Sequence, residues 1–169
     1  KNTVTREKGN LSDVWKNKFF ISLIPLCFLN YGGVQAVQTL WAGPWMLNVA
    51  GYSPLDSATG LFWINITMLF AFMFWGYILP KFSSLGIDSI KIVKIGLPIS
   101  YVVLFSIIIM GQNAGAIMFT LYILSSIVLS LTQPALALSF PQNLAGKSLT
   151  SINVFIHSGT FFVQWGIGL

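Results

Sequence analysis

Acidic side chains are scarce in this chain, and their placement excludes more than their number does. Glu7, Asp13, Asp56 and Asp88 are the four acids among 169 residues, and all fall in the leader or in short connections rather than in long apolar runs. They offer no paired carboxylates for general acid and base work, and none at membrane depth to relay protons. Cysteine and histidine occur once each, as Cys27 and His157. Neither a disulfide framework nor a set of metal ligands can be assembled from them. A phosphate-binding glycine loop is also missing. The chain is therefore not expected to be an enzyme, and neither a metal nor a cofactor is expected.

Charge of both signs is low, at 8% of residues, against the roughly 25% usual in soluble domains. Apolar residues make up 55% and the mean hydropathy is +0.77, more than a soluble core can absorb. The apolar residues gather into five stretches, over residues 19–47, 54–79, 91–110, 116–139 and 148–169. About 20 apolar residues suffice to cross a bilayer as a helix, so an all-α polytopic membrane bundle of five transmembrane helices is expected. The first stretch is longer than a crossing needs. Gly32 and Gly33 give it a weak point and Pro44 distorts its outer end, so a kinked helix is expected there.

Boundaries follow from local chemistry. Ser53, Pro54 and Asp56 read as a helix start, with a capping hydroxyl, a proline in the first turn and an acceptor for exposed amides. Pro80 and Lys81 are expected to end the second helix, followed by a loop over residues 82–89. Lys91 and Lys94 open the third span, where their stems can lie in lipid while the ammonium groups reach the headgroups. Residues 111–116 form a tight turn, Pro134 lies within the fourth span, and residues 140–147 form the last loop.

The nine cations obey an alternation. Lys1, Arg6, Lys8, Lys16 and Lys18 precede the first span, Lys81, Lys91 and Lys94 flank the second loop, and Lys147 lies in the fourth; residues 51–56 and 111–116 carry none. The positive-inside bias places the start of the chain in the cytoplasm and Leu169 at the opposite face. Residues 1–18 read as a basic cytoplasmic linker and residues 19–169 as the five-helix bundle. The net charge of +5 is spread over loops rather than gathered on one face with interleaved aromatics, so no nucleic-acid partner is expected. The chain begins with Lys and shows no signal peptide, which suggests an interior piece of a longer protein.

Polar residues at membrane depth must face other helices or a wet cavity. The third span holds only Ser100, Tyr101 and Ser106 beyond its lysines and reads as a lipid-facing support. The first carries Asn30, Gln35 and Gln38, the second Asn65 and Thr67, the fourth Thr132 and Gln133. In the fifth, Thr150, Asn153, His157, Thr160 and Gln164 step by three and four residues, which is one helix face. Tyr31, Gln35, Gln38, Ala42 and Trp45 step likewise in the first. These two faces are expected to meet across a cavity. Simple packing is the alternative, with each amide bonding a neighbouring helix for about 0.6 kcal/mol. Trp41, Trp45, Trp63, Trp75 and Trp165 read as interfacial anchors, and Gly159, Gly166 and Gly168 as points of close helix approach.

The stretch Tyr31-Gly-Gly-Val-Gln-Ala-Val-Gln-Thr-Leu-Trp-Ala-Gly-Pro-Trp45 and the run Phe140-Pro-Gln-Asn-Leu-Ala-Gly-Lys147, leading through Asn153 and Gly159 to Gln164, Trp165 and Gly166, resemble the C-terminal half of bacterial major facilitator superfamily transporters. The segment from Gly76 to Lys91 resembles that family's cytoplasmic loop signature without its usual acidic residue. Over nearly the whole chain, the resemblance implies helices seven to eleven of twelve, in a bacterial inner-membrane protein. It implies a secondary transporter that moves a small polar solute by alternating access, with substrate bound near the midplane between two halves. On this footing Gln35, Gln38, Asn65, Gln133, Asn153 and His157 are the expected substrate-binding residues. The implied partners are the lipid bilayer, a small-molecule substrate, and the missing N-terminal half and last helix; self-association through exposed seams is a further expectation. A channel, or a membrane subunit that uses its amides only for packing, would show similar stripes.

Overall fold

A computed structural model describes residues 10–168, and all regular structure among them is helical. Six helices follow one another: α1 (Leu11–Trp15), α2 (Lys18–Asn48), α3 (Pro54–Ser84), α4 (Ser89–Met110), α5 (Ala116–Leu138) and α6 (Gln142–Ile167). Four of them, α2 to α5, are long and apolar enough to cross a membrane. At 26 residues α6 is also long, but Asn153, His157 and Gln164 interrupt its apolar residues. The fifth crossing expected over residues 148–169 thus lacks the composition of the other four.

The described residues form two compact units. One holds those up to Gly33 together with those from Thr132 onward; the other is Val34–Leu131.

In the first unit, α1 starts where the Asn10 side chain accepts from the Ser12 amide at 3.2 Å. Five residues cannot hold a helix alone in water. Burial supplies the stability: Val14 is fully enclosed, and Trp15 meets Phe20 and Phe155 edge-on at 5.7 and 5.6 Å. Val14, within the stretch expected as a linker, therefore belongs to the packed core, with Phe20, Leu23, Cys27, Leu136, Phe140, Leu144, Ile152 and Ile156. Asn17 caps α2 by accepting from the Phe20 amide at 3.0 Å.

The second unit is built around Met46, Ile64, Ile107, Phe119, Tyr122 and Ile123. Trp45 donates its indole N–H to the Ala114 carbonyl at 3.1 Å, and Tyr52 accepts from the Ala116 amide at 3.3 Å. Trp45, expected as an interfacial anchor, thus ties the C-terminal end of α2 to the turn before α5. Ser53 caps α3 as expected, its Oγ accepting from the Asp56 amide at 3.1 Å and donating to the Asp56 carboxylate at 2.7 Å.

Pro80 does not end α3. The helix runs on to Ser84, and Lys81 bonds the Tyr77 hydroxyl at 2.8 Å across the proline turn while its ammonium lies 4.0 Å above the Tyr77 ring. The stop comes from Gly86, whose φ of +75° opens a left-handed cap. The Ile87 amide reaches back to the Phe82 carbonyl at 2.9 Å, and the Gly86 amide to Ser83 at 3.0 Å. That pair of bonds is a Schellman cap, which favours glycine at its left-handed position.

The irregularity of α2 also differs from expectation. Gly32 and Gly33 sit in the regular segment Gly32–Ala36, and the distortion is carried by two π-helical stretches, Leu26–Tyr31 and Val37–Trp41. Each adjoins a proline: Pro25 precedes the first, and Pro44 lacks the amide that would bond Leu40 in the second. Pro134 acts similarly in α5, where Ile127–Leu131 tightens to a 3₁₀ stretch just before it.

Candidate functional site

Of the six residues expected to bind substrate, Gln35, Gln38 and Asn65 lie in the second unit and Gln133, Asn153 and His157 in the first. The structure brings two of them together. Gln38 donates through Nε2 to Asn65 Oδ1 at 3.1 Å, with the Met68 sulfur also 3.1 Å from that nitrogen. Asn65 donates in turn to the Leu61 carbonyl, one turn back on α3, at 2.7 Å. Gln38 is half-buried and Asn65 is exposed. This is an interhelical amide pair at membrane depth, with carboxamide capacity left over, since each group has two donors and an oxygen with two lone pairs.

Gln35 lies one turn earlier on α2 and is half-buried; its carbonyl accepts from Thr39 Oγ1 at 2.7 Å. Trp41 belongs to the same stretch of helix and was read from sequence only as an anchor. Its indole nitrogen is buried without a hydrogen-bond partner among the described residues, as is Ser126 Oγ. An orphan donor costs free energy in an apolar setting unless water or a solute reaches it. The π stretch that carries Trp41 is invisible in the sequence pattern, so no sequence signal separates this tryptophan from the interfacial ones.

In the first unit the polar stripe of α6 forms a single face, but not the face that packs. Leu144, Ser148, Ser151, Ile152, Ile156 and Gly159 are the buried positions. At 3.6 residues per turn, Asn153, His157 and Gln164 are rotated roughly 100° to 140° from Ile152. Asn153, Thr160 and Gln164 are half-buried, and His157 is exposed. Gln133 is half-buried on α5, next to the fully buried Thr132.

The packing face has a tight point. A Cβ on Gly32 would come within 2.7 Å of the Gly159 and Thr160 backbone, and one on Gly159 would overlap the Phe28 carbonyl oxygen. The first π-helical stretch of α2 and the middle of α6 are thus in backbone contact. Gly159 is a point of close approach, as expected from sequence, whereas Gly166 has open space where a Cβ would stand.

The exposed apolar surface is extensive. On α4, Ile95, Ile99, Val102, Phe105 and Ile109 are all more than half exposed, in keeping with a lipid-facing helix. The most apolar window of α3 is 11% buried, against 17% for that of α4. Leu69, Phe70, Met73, Phe74 and Tyr77 form an exposed apolar face along the distal half of α3.

Among the described residues no group of three or more His, Cys, Asp or Glu side chains could hold a metal ion. Comparison of the chain with family models, curated proteins and solved structures finds no match.

Proposed function

We propose that this chain is part of a secondary transporter in which polar faces at membrane depth line the path of a small polar solute. The observation that carries the reading is the exposure of His157 and Asn65 on apolar helices. Neither side chain is absorbed by the core of its own unit, and neither is tolerable against hydrocarbon. Water beside each of them satisfies it. In this reading α6 is the fifth crossing: its composition is less apolar than that of α2 to α5 because one side of it meets water. The resemblance to the C-terminal half of major facilitator superfamily transporters gives the same assignment, with the facing half completing the cavity and the two rocking for alternating access. The alternation of cations supports a cytoplasmic start and a plasma-membrane location. The chemistry offered is amide, hydroxyl, indole and imidazole hydrogen bonding, which suits an uncharged or zwitterionic solute and performs no bond-breaking step.

Packing is the second reading, and the Gln38 to Asn65 bond favours it for those two residues. Flux separates the readings. The intact protein that contains this chain, reconstituted in liposomes and screened against sugars, amino acids and other small polar solutes, is expected to show saturable uptake of one class with competition within it. Flux that rises linearly with concentration would mark a channel, and no flux with any class would leave the amides as packing groups.

A further inference from the structure

The first unit carries an open cleft of about 490 Å³ at the cation-bearing end of α6, lined by Leu11 and Trp15 from α1 and by Gly146, Lys147, Thr150, Ser151 and Val154 from α6. We propose that this cleft binds one anionic phospholipid, its phosphate at Lys147 and an acyl chain along Trp15 and Val154.

Its wall is graded from polar to apolar along α6. Lys147 and Thr150 stand near the start of the helix, and Val154 follows one turn deeper, 57% exposed. The other wall is apolar: Leu11 and Trp15, one turn apart on α1, are 46% and 45% exposed although α1 is anchored through the fully buried Val14. An exposed tryptophan at a helix end suits the headgroup boundary, where the ring stays half in lipid and the indole N–H meets polar groups. Gly146 has open space where a Cβ would stand, which leaves the mouth of the cleft clear. Thr150 Oγ1 donates to the Gly146 carbonyl at 3.0 Å, so its proton is already used and the phosphate falls to the Lys147 ammonium. The ammonium of Lys147 has three donors, so it can hold a phosphate oxygen beside another acceptor. Lys16 and Lys18 follow directly on α1 and are exposed, adding positive charge; Asp13 is the acid of α1 and is also exposed. A cation beside an apolar groove at the membrane boundary is complementary to an anionic headgroup joined to an acyl chain, and to neither a free anion nor a neutral lipid.

This inference rests on α6 crossing the bilayer but not on transport. Its test is lipid retention by the purified full-length protein, read by native mass spectrometry after titration with phosphatidylglycerol, phosphatidylcholine or inorganic phosphate. Phosphatidylglycerol is expected to bind saturably and more tightly than phosphatidylcholine. Lys147→Gln should weaken it about fivefold, the effect of one cation near an anionic surface, and Lys147→Arg should keep it. Val154→Gln should weaken the lipid without altering any phosphate adduct. The control Lys94→Gln, a cation on α4 outside the cleft, should leave binding unchanged. Equal losses in Lys147→Gln and Lys94→Gln would mean diffuse attraction to charge and overturn the site. So would retention of inorganic phosphate as strong as that of the lipid, or unchanged binding in Lys147→Gln. A transporter that moves solute normally while binding no lipid would separate the failure of this site from failure of the transport reading.

Discussion

Gly159→Ala is expected to destabilise the protein by about 3 kcal/mol or more, and Gly159→Leu to prevent stable assembly of the first unit. The added Cβ would overlap the Phe28 carbonyl oxygen. That neighbour is backbone, and it cannot swing away as a flexible side chain would. Overpacking in a core ordinarily costs about 1 to 3 kcal/mol, and a backbone obstacle places this site at the upper end. Gly32→Ala should be nearly as harmful, since its Cβ would stand 2.7 Å from the Gly159 carbonyl carbon and the Thr160 nitrogen. Because the two sites share one contact, the double variant should cost less than the sum of the singles. Gly166→Ala is the control, in the same helix with nothing within 4 Å of the new methyl. It should be neutral or stabilising by up to about 1 kcal/mol, the helix preference of alanine over glycine. Thermal unfolding in detergent, followed by size-exclusion chromatography, reads all five variants. Equal behaviour of Gly159→Ala and Gly166→Ala would show that the close approach of α2 and α6 is not a packing requirement.

The second large effect is expected at His157. Its α6 face is turned away from the buried positions Ile152 and Ile156, and the side chain is exposed. If it hydrogen-bonds the solute, Ala removes the bond and Gln retains part of it. Uptake by His157→Ala is expected to fall about tenfold at every pH, the equivalent of about 1.4 kcal/mol, and His157→Gln should lose less. Imidazole also has a ring nitrogen that can take up a proton, which Gln lacks. A flattened pH profile in His157→Gln, with uptake retained, would assign a proton-coupling role. Wild-type uptake and pH dependence in both variants would reduce His157 to a packing residue.

Most helix boundaries of this fold were legible because they depend on local chemistry. The Ser53 cap, the turn after Met110 and the start at Ala116 follow from residues within one turn of each boundary. The end of α3 differs from the stop expected at Pro80 and Lys81, because the helix runs on to Ser84. Lys81 and Tyr77 carry the helix past it, and Gly86 supplies the stop. The π-helical stretches of α2 could not be read, since one extra residue per turn leaves no mark on a hydrophobic pattern. For the same reason Trp41 stayed among the interfacial aromatics although its indole nitrogen is buried and unpartnered. The polar stripe of α6 was legible as a face. Its rotation away from the core was not, because Ser148, Ser151 and Gly159, which do the packing, look no more core-like in the sequence than Thr150 or Thr160.

The central claim is that this stripe borders water at membrane depth, and it can be tested without knowing the solute. Single cysteines placed at Asn153, His157, Phe155 and Phe162 in a Cys27→Ala background, in intact membranes, would be exposed to a membrane-impermeant thiol reagent. Cysteines replacing Ser83 and Gln112 report the two aqueous faces and should label from opposite sides. Positions 153 and 157 are expected to label at rates within about tenfold of those two, while 155 and 162, on the opposite flank of α6, should resist labelling. Resistance at all four positions, with 83 and 112 labelling normally, would contradict the account and leave the stripe buried against protein.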